Sequence, residues 1–127
     1  MVAFTRRHST LAVAAACVLI LAQAAQARGT FDGAWSVDIS GRSGNCDGMT
    51  YQYDLQIINN QLHYGGADAR ISGSVSPSGE VNVRLSNGAS SATGAGHLTG
   101  RTGRGRFYGR SSSGVCSGNW SAVRTGG

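Results

Sequence analysis

The sequence predicts an all-β protein, a small antiparallel meander of about eight strands that follows an N-terminal signal peptide. Apolar and polar residues alternate with a period of two along most of residues 31–122, which is the pattern of half-buried strands. Turn-forming residues interrupt this alternation about every eight to twelve residues. The period of an amphipathic helix is not found there, and these features together favour an all-β meander.

Residues 1–27 have the three parts of a signal peptide. A basic segment precedes an uncharged apolar run at residues 11–22, and residues 25–27 read Ala-Gln-Ala, which suits cleavage. The apolar run is shorter than the roughly 20 residues that a membrane-spanning helix needs. We therefore expect cleavage, export to the periplasm or beyond, no stable membrane span, and a single mature domain of residues 28–127.

Two cysteines remain in that domain, Cys46 and Cys116, because Cys17 lies in the signal peptide. An even number of cysteines in a small exported domain indicates a structural disulfide. The bond would close a loop of about 70 residues and contribute roughly 4 kcal/mol in the chain-entropy account.

The first strands have the clearest pattern. Residues 31–39 alternate between two faces, residues 51–57 do the same after a turn-rich stretch, and Asn59-Asn60 suits a two-residue hairpin turn because Asn tolerates the left-handed conformation. Such a turn would pair Ile57 with Leu62. The inward residues expected in this part are Phe31, Gly33, Trp35, Val37, Ile39, Tyr51, Tyr53, Leu55, Ile57, Leu62 and Tyr64.

The alternation continues through the second half of the chain. Turns are expected at Pro77-Ser78-Gly79, at Asn87-Gly88 and in the Ser-Gly stretch of residues 111–114, and the weakest strand signal lies at residues 92–99. The inward residues expected here are Ile71, Gly73, Val75, Val81, Val83, Leu85, Ala92, Gly94, Gly96, Leu98, Gly105, Phe107, Gly109, Cys116, Gly118, Trp120 and Ala122.

Two features predict that the strands close into a barrel. A Gly-x-Trp triplet opens the first strand, ending in Trp35, and another lies in the last strand, ending in Trp120. The predicted disulfide would also tie the end of the first strand to the start of the last. Those ends meet if the two strands are antiparallel neighbours, as in an eight-stranded up-and-down barrel. A two-sheet sandwich is the alternative.

The expected interior is uneven, since Trp35, Tyr51, Tyr53 and Trp120 are large whereas several inward positions on later strands are glycine. One interpretation, which we favour, is a packed core in which aromatic rings lie over glycine backbone. The other is a lumen, with these four aromatic residues as its candidate lining, that admits a small apolar ligand.

Residues suited to catalysis are few, and we predict that the protein is not an enzyme. Both histidines of the mature chain, His63 and His97, are expected to point outward on different strands, and no nucleophile elbow, phosphate loop or zinc motif is found. We predict no metal and no cofactor. Either His63 or Tyr64 could still serve as a single axial haem ligand.

The mature domain is mildly basic, because residues 28–127 hold nine of the eleven arginines and all six acidic residues, a net charge of +3. Its sharpest local feature is a predicted exposed row on one strand, formed by Arg104, Arg106, Tyr108 and Arg110. Such a row suits anionic groups, although exposed arginines also discourage strand edges from aggregating. Polyanions of the cell envelope are the expected ligands if the row is functional, and nucleic acid is not.

Several segments resemble a group of small, exported, glycine-rich proteins with a disulfide from rhizobium-like alphaproteobacteria. These segments are Phe-Asp-Gly-Ala-Trp-Ser-Val at residues 31–37, Asn-Cys-Asp at 45–47, Val-Ser-Pro-Ser-Gly at 75–79 and Cys-Ser-Gly-Asn-Trp-Ser-Ala at 116–122. The resemblance implies export from a bacterial cell and implies no site residues. More remotely, Gly-Ala-Trp at residues 33–35 resembles the Gly-x-Trp opening of avidins, lipocalins and small bacterial metalloprotease inhibitors.

From these observations we expect an exported, non-enzymatic binding or envelope-associated module. Its partner would be an envelope polyanion or another exported protein. The alternatives are a secreted protease inhibitor and a barrel that binds haem or a small apolar ligand.

Overall fold

The computed structural model describes residues 29–127, so the predicted signal peptide lies outside the described residues. These residues form eight antiparallel strands that close into a barrel in sequence order, with no helix among them. The strands are β1 (Gly33–Gly44), β2 (Thr50–Ile58), β3 (Gln61–His63), β4 (Arg70–Val75), β5 (Glu80–Asn87), β6 (Ser90–Thr99), β7 (Thr102–Ser111) and β8 (Gly114–Gly126). The prediction of an all-β closed barrel is therefore confirmed, and the sandwich alternative is not adopted.

Pairing between β1 and β8 closes the barrel. Ile39 of β1 lies opposite Tyr51 of β2 on one side and opposite Trp120 of β8 on the other. The predicted disulfide is present between Cys46 and Cys116, with 5.4 Å between the two Cα atoms. Cys46 lies two residues after the end of β1 and Cys116 lies near the start of β8, so the bond joins the strands that close the sheet.

The hairpin turns follow the residues that tolerate left-handed backbone, with one shift. Asn59 and Asn60 have φ values of 51° and 65°, and Ile57 pairs with Leu62 as predicted. The turn expected at Asn87-Gly88 instead consists of residues 88–89, because Asn87 still pairs with Ser90. Gly88, rather than Asn87, takes the left-handed conformation, with φ 57°, which glycine adopts without strain. Asn87 is the last residue of β5.

The interior of the barrel is packed at one end only. The packed end is where β1 begins and β8 ends, and its buried residues form one apolar cluster. This cluster consists of Phe31, Trp35, Ile57, Val75, Val81, Leu98, Trp120 and Ala122. Burial of this apolar surface is the main favourable contribution to stability.

Residues 29–32 cross the packed end and cover it. The indole Nε1 of Trp35 donates a 2.8 Å hydrogen bond to the carbonyl oxygen of Phe31, which holds Phe31 over the core. Arg124, near the end of β8, donates through Nη2 to the carbonyl oxygens of Thr30 and Asp32, each at 2.8 Å. Its guanidinium carbon also lies 5.4 Å from the Trp35 ring centroid, a cation–π distance.

The Asp32 carboxylate connects this covering segment to the β2–β3 turn. Its two oxygens accept hydrogen bonds from the backbone N–H groups of Asn59, at 2.8 Å, and Asn60, at 3.1 Å. Desolvation alone would raise the pKa of Asp32. The backbone hydrogen bonds from Asn60, Asn59 and Gly29, with the charge of Arg124, outweigh it and lower that pKa below 3.8.

Residues 29–127 contain no helix long and apolar enough to cross a membrane.

Removal of the disulfide should destabilise the barrel strongly. The bond closes a loop with a sequence separation of 70 residues, so the double variant Cys46→Ser/Cys116→Ser should lose roughly 4 kcal/mol of unfolding free energy. Guanidinium titration followed by circular dichroism measures this loss. A midpoint equal to that of the oxidised wild type would contradict the role assigned to the bond.

The Asp32 hydrogen bonds should make stability depend on pH. Because the folded-state pKa is lowered, the carboxylate stabilises the fold above about pH 4, the range of an unfolded Asp, and this contribution is lost as the pH falls through the folded-state pKa. Asp32→Asn should therefore lower Tm by several degrees at pH 6, and its Tm should approach that of the wild type in strong acid. Asp54→Asn, on the exposed face of β2, is the matched control. An equal Tm for Asp32→Asn and wild type at pH 6 would refute the assignment.

Candidate functional site

The other end of the barrel holds a cavity of about 480 Å³. Residues of all eight strands contribute to its wall. The larger aliphatic and phenyl side chains from the strands are Val37, Ile39, Leu55, Leu62, Ile71, Val81, Val83, Leu85 and Phe107. Residues of the β1–β2 loop and of the β5–β6 and β7–β8 turns surround its mouth. The cavity thus opens beside the disulfide and ends on the packed cluster.

Small residues on β6 and β7 explain why this half is hollow. Ala92, Gly94 and Gly109 line the cavity and project little or nothing into it. Further down, Trp120 covers the backbone of Gly96 and Gly105 so closely that a Cβ at either position would overlap its six-membered ring. The large side chains of the opposite wall are held by their own strands, so they cannot fill the space these residues leave.

The four predicted lumen residues divide between the two halves of the barrel. Tyr51 and Tyr53 line the cavity, and Trp35 lies in the packed cluster, 2 % exposed, beneath Phe31. Trp120 belongs to both, because it is part of the packed cluster and also lines the cavity. The sequence analysis gave a packed core and an open lumen as alternative interpretations of the interior. The structure contains both, one above the other along the barrel axis.

Tyrosines form part of the wall towards the mouth. Tyr53 packs edge-on against Tyr64, with 5.4 Å between ring centroids, and Tyr64 donates a 2.6 Å hydrogen bond to Asp68. This bond raises the pKa of Tyr64 to about 12. Burial, followed by the charge of Asp68 and the neighbouring Tyr51, raises the pKa of Tyr53. The cavity therefore has neutral phenols on this side at physiological pH.

Tyr64 was predicted as an inward residue and as a possible axial haem ligand, whereas Asp68 was not predicted. Neither lines the cavity itself, and Tyr64 supports the wall through its contact with Tyr53. Asp68 lies in the glycine-containing connection between β3 and β4, where the sequence alternation is lost, so no periodic signal pointed to it. On the opposite side of the mouth, Asn45 donates to Ser113, at 2.7 Å, and to Ser111, at 3.4 Å. These bonds tie the disulfide loop to the β7–β8 turn and give the mouth a polar rim.

The predicted arginine row lies on the outer face of β7, where Arg104, Arg106, Tyr108 and Arg110 are all exposed. Arg110 is the row member that also lines the cavity, at its mouth. Its Nη2 lies 3.3 Å from the Tyr108 hydroxyl, and its guanidinium carbon lies 6.0 Å from the Tyr108 ring centroid. The guanidinium of Arg110 is therefore directed along the outer face rather than into the cavity.

Arg104 and Arg106 border an open groove across β6, β7, β8 and β1. Arg104 lies opposite Ser121, and Arg106 lies opposite Asn119. The other polar side chains of the groove are Asp38, Ser40, Arg42 and His97, and its floor includes Gly96, Gly105 and Trp120. The groove thus contains three arginines and one carboxylate. This surface can donate many hydrogen bonds to an anionic group.

Neither predicted histidine lines the cavity. His63 and His97 are both exposed, as expected, and His97 belongs to the outer groove. Within residues 29–127, no three His, Cys, Asp or Glu side chains come together as a potential metal site.

Comparison of the chain with models of known protein families, with curated proteins and with solved structures finds no match.

Proposed function

We propose that this protein is an exported barrel that binds a small, largely apolar molecule in its cavity. The observation that carries the proposal is the cavity itself, which is open at the disulfide end, closed by the packed cluster at the other, and lined mainly by apolar and aromatic side chains. A chain built only to fold would gain by filling this space. The arrangement is that of a ligand site on a rigid scaffold.

The size of the cavity sets the size of the ligand. A volume of about 480 Å³ lies within the range of small-molecule sites, roughly 300–1,000 Å³. A ligand that buries about 200 Å² of apolar surface gains about 5 kcal/mol from the hydrophobic effect, and its association cost is partly offset by the preformed wall. Dissociation constants in the micromolar to millimolar range are therefore expected for simple apolar probes.

Export is part of the same proposal. The disulfide between Cys46 and Cys116 is typical of proteins that fold in an oxidising compartment, and it supports the sequence-based prediction of a signal peptide. A binding protein of this kind would meet its ligand in the periplasm or outside the cell.

Among the alternatives of the same class, the cavity favours a metal-free organic ligand over haem. The histidines, which are the commonest axial ligands in haem proteins that bind oxygen, lie outside the cavity. The lining residues that could take their place are Met49, Tyr51 and Tyr53.

Anion binding by the outer groove is a second candidate function. The side chains of Arg42, Arg104 and Arg106 converge on one depression with hydrogen-bonding neighbours, whereas the arginines of β4 and β5 are not part of it. The groove lies on the outside of the sheet and the cavity within it, and the residue they share is Trp120. Substitution of Arg104 and Arg106 therefore changes the groove without changing the cavity lining. The expected partner is an acidic polysaccharide of the envelope.

Cavity binding can be tested by filling the cavity. Ala92→Phe places a ring in the cavity from β6 and should abolish the fluorescence increase of N-phenyl-1-naphthylamine. Ala95→Phe, the same change on the outward face of the same strand, should leave that increase intact. Both variants should retain the wild-type circular dichroism. Equal probe binding by wild type and Ala92→Phe would contradict the proposed site.

The groove can be tested by salt elution from heparin-agarose. Arg104→Ser/Arg106→Ser should elute at clearly lower salt than the wild type because two phosphate- or sulfate-binding arginines are lost. Arg70→Ser/Arg84→Ser changes the net charge equally on the outer face of β4 and β5, and it should elute close to the wild type. Equal shifts for the two pairs would show that net charge alone causes retention. Competition by single-stranded DNA as strong as that by an acidic polysaccharide would oppose the assigned partner.

A further inference from the structure

Trp120 carries an unused hydrogen-bond donor at the base of the cavity. Its side chain is 7 % exposed, and its indole Nε1 is buried with no hydrogen-bond partner among residues 29–127. The other tryptophan, Trp35, donates its Nε1 to the carbonyl oxygen of Phe31. The two further buried side-chain atoms without a partner in this range, Asn60 Oδ1 and Arg124 Nε, belong to the packed end.

The orientation of the Trp120 ring turns this donor towards the open half of the barrel. The six-membered ring lies against Gly96 and Gly105, whereas Nε1 lies 3.7 Å from the position that a Cβ on Gly94 would occupy. Strand β6 runs from the open end, at Ser90, to the packed end, at Thr99, so Gly94 is nearer the opening than Gly96. Both Gly94 and Trp120 line the cavity.

Proteins pair nearly all of their buried N–H groups, because an unpaired one forfeits the hydrogen bonds it made to water. Near the position that a Cβ on Gly94 would occupy lie the apolar Cγ1 of Val83 and the carbonyl oxygen of Arg106, and neither is a hydrogen-bond partner of Nε1. Residues 29–127 thus supply no acceptor for Nε1, and its neighbours leave it almost no surface open to water. An oxygen held in the cavity can accept from it once these neighbours move aside.

We propose that the ligand of this cavity is an apolar molecule with a neutral acceptor oxygen, a carbonyl or an ether, that accepts a hydrogen bond from Trp120 Nε1. This inference rests on the proposed function and specifies the ligand class. The oxygen enters first and the apolar remainder fills the space below the tyrosines. The acceptor is neutral because, among residues 29–127, Arg110 is the cationic residue that lines the cavity and it lies at the mouth. At the base a carboxylate would lose its hydration without a counter-charge.

The direct test uses the two indole N–H signals of the ¹⁵N-labelled protein, because the chain contains only two tryptophans. Acetophenone and α-methylstyrene have the same shape and differ in C=O against C=CH₂. Acetophenone should move the Trp120 indole proton downfield, α-methylstyrene should not, and Trp35 should respond to neither. The variants Trp35→Phe and Trp120→Phe assign the signals.

Affinity gives a second, independent readout. Trp120→Phe keeps an aromatic ring and removes the donor, so it should weaken acetophenone about five- to tenfold, the worth of one neutral hydrogen bond, and change α-methylstyrene less than twofold. Trp35→Phe, which also removes an indole N–H, should change neither affinity. If Trp120→Phe does not fold, the indole shifts of the wild type decide the question.

The outcomes separate the two proposals. The acceptor assignment is overturned if acetophenone and α-methylstyrene both bind and shift the Trp120 indole proton equally, as a trapped water on Nε1 would produce. It is also overturned if Trp120→Phe changes both affinities equally. In either case the cavity is a purely apolar site. Failure of acetophenone, α-methylstyrene and N-phenyl-1-naphthylamine all to bind overturns the cavity function and the acceptor assignment with it.

Discussion

The pairing of β1 with β8 is the interaction on which the rest of the structure depends. A sheet with free edges would expose unpaired backbone groups and would have no enclosed side, whereas closure converts one face of every strand into a common interior. Here the closing strands are joined twice, by their ladder of backbone pairs and by the disulfide at the open end. The open end therefore keeps its shape without side chains to fill it.

Closure alone does not explain why one half is packed and the other hollow. The difference depends on where along the barrel axis large side chains face glycine residues of the opposite strands. At the packed end, Phe31 is held over the core because Trp35 donates to its carbonyl oxygen and Arg124 donates to the carbonyl oxygens of Thr30 and Asp32 on either side. Trp120 lies across the middle against glycine backbone and separates the two halves. Above it, small residues on β6 and β7 face tyrosines and aliphatic residues across an open space.

The outer surface is chemically distinct from the interior and independent of it. Alternation along β7 places arginines outside and Gly105, Phe107 and Gly109 inside, so one strand contributes to both candidate sites. The interior selects for apolar groups, whereas the outer groove offers guanidinium groups in contact with water. A ligand in the cavity would be bound mainly by the hydrophobic effect, which salt does not weaken. A polyanion on the groove would be bound by electrostatic attraction, which salt weakens.

The sequence by itself determined the strand faces and the disulfide partners, and it favoured a closed barrel over a two-sheet sandwich. A period of two assigns every side chain to one face wherever one face is buried, and the two cysteines that follow the predicted signal peptide allow only one pair. It also placed Arg104, Arg106, Tyr108 and Arg110 in one exposed row, because that depends on alternation alone. The one-residue shift of the turn at Gly88 shows the limit of local signals, since pairing with the next strand decides where a strand ends.

Only the tertiary structure decided how far the interior is filled. Periodicity predicts which side chains point inward. It does not predict the position of each side chain along the barrel axis, because that position depends on the register and stagger of the strands. Trp35 and Trp120 occupy the same place in their triplets, yet one donates to Phe31 and the other has no partner in the described chain. The same holds for Tyr64 and Asp68, whose contact at the mouth depends on the irregular connection between β3 and β4.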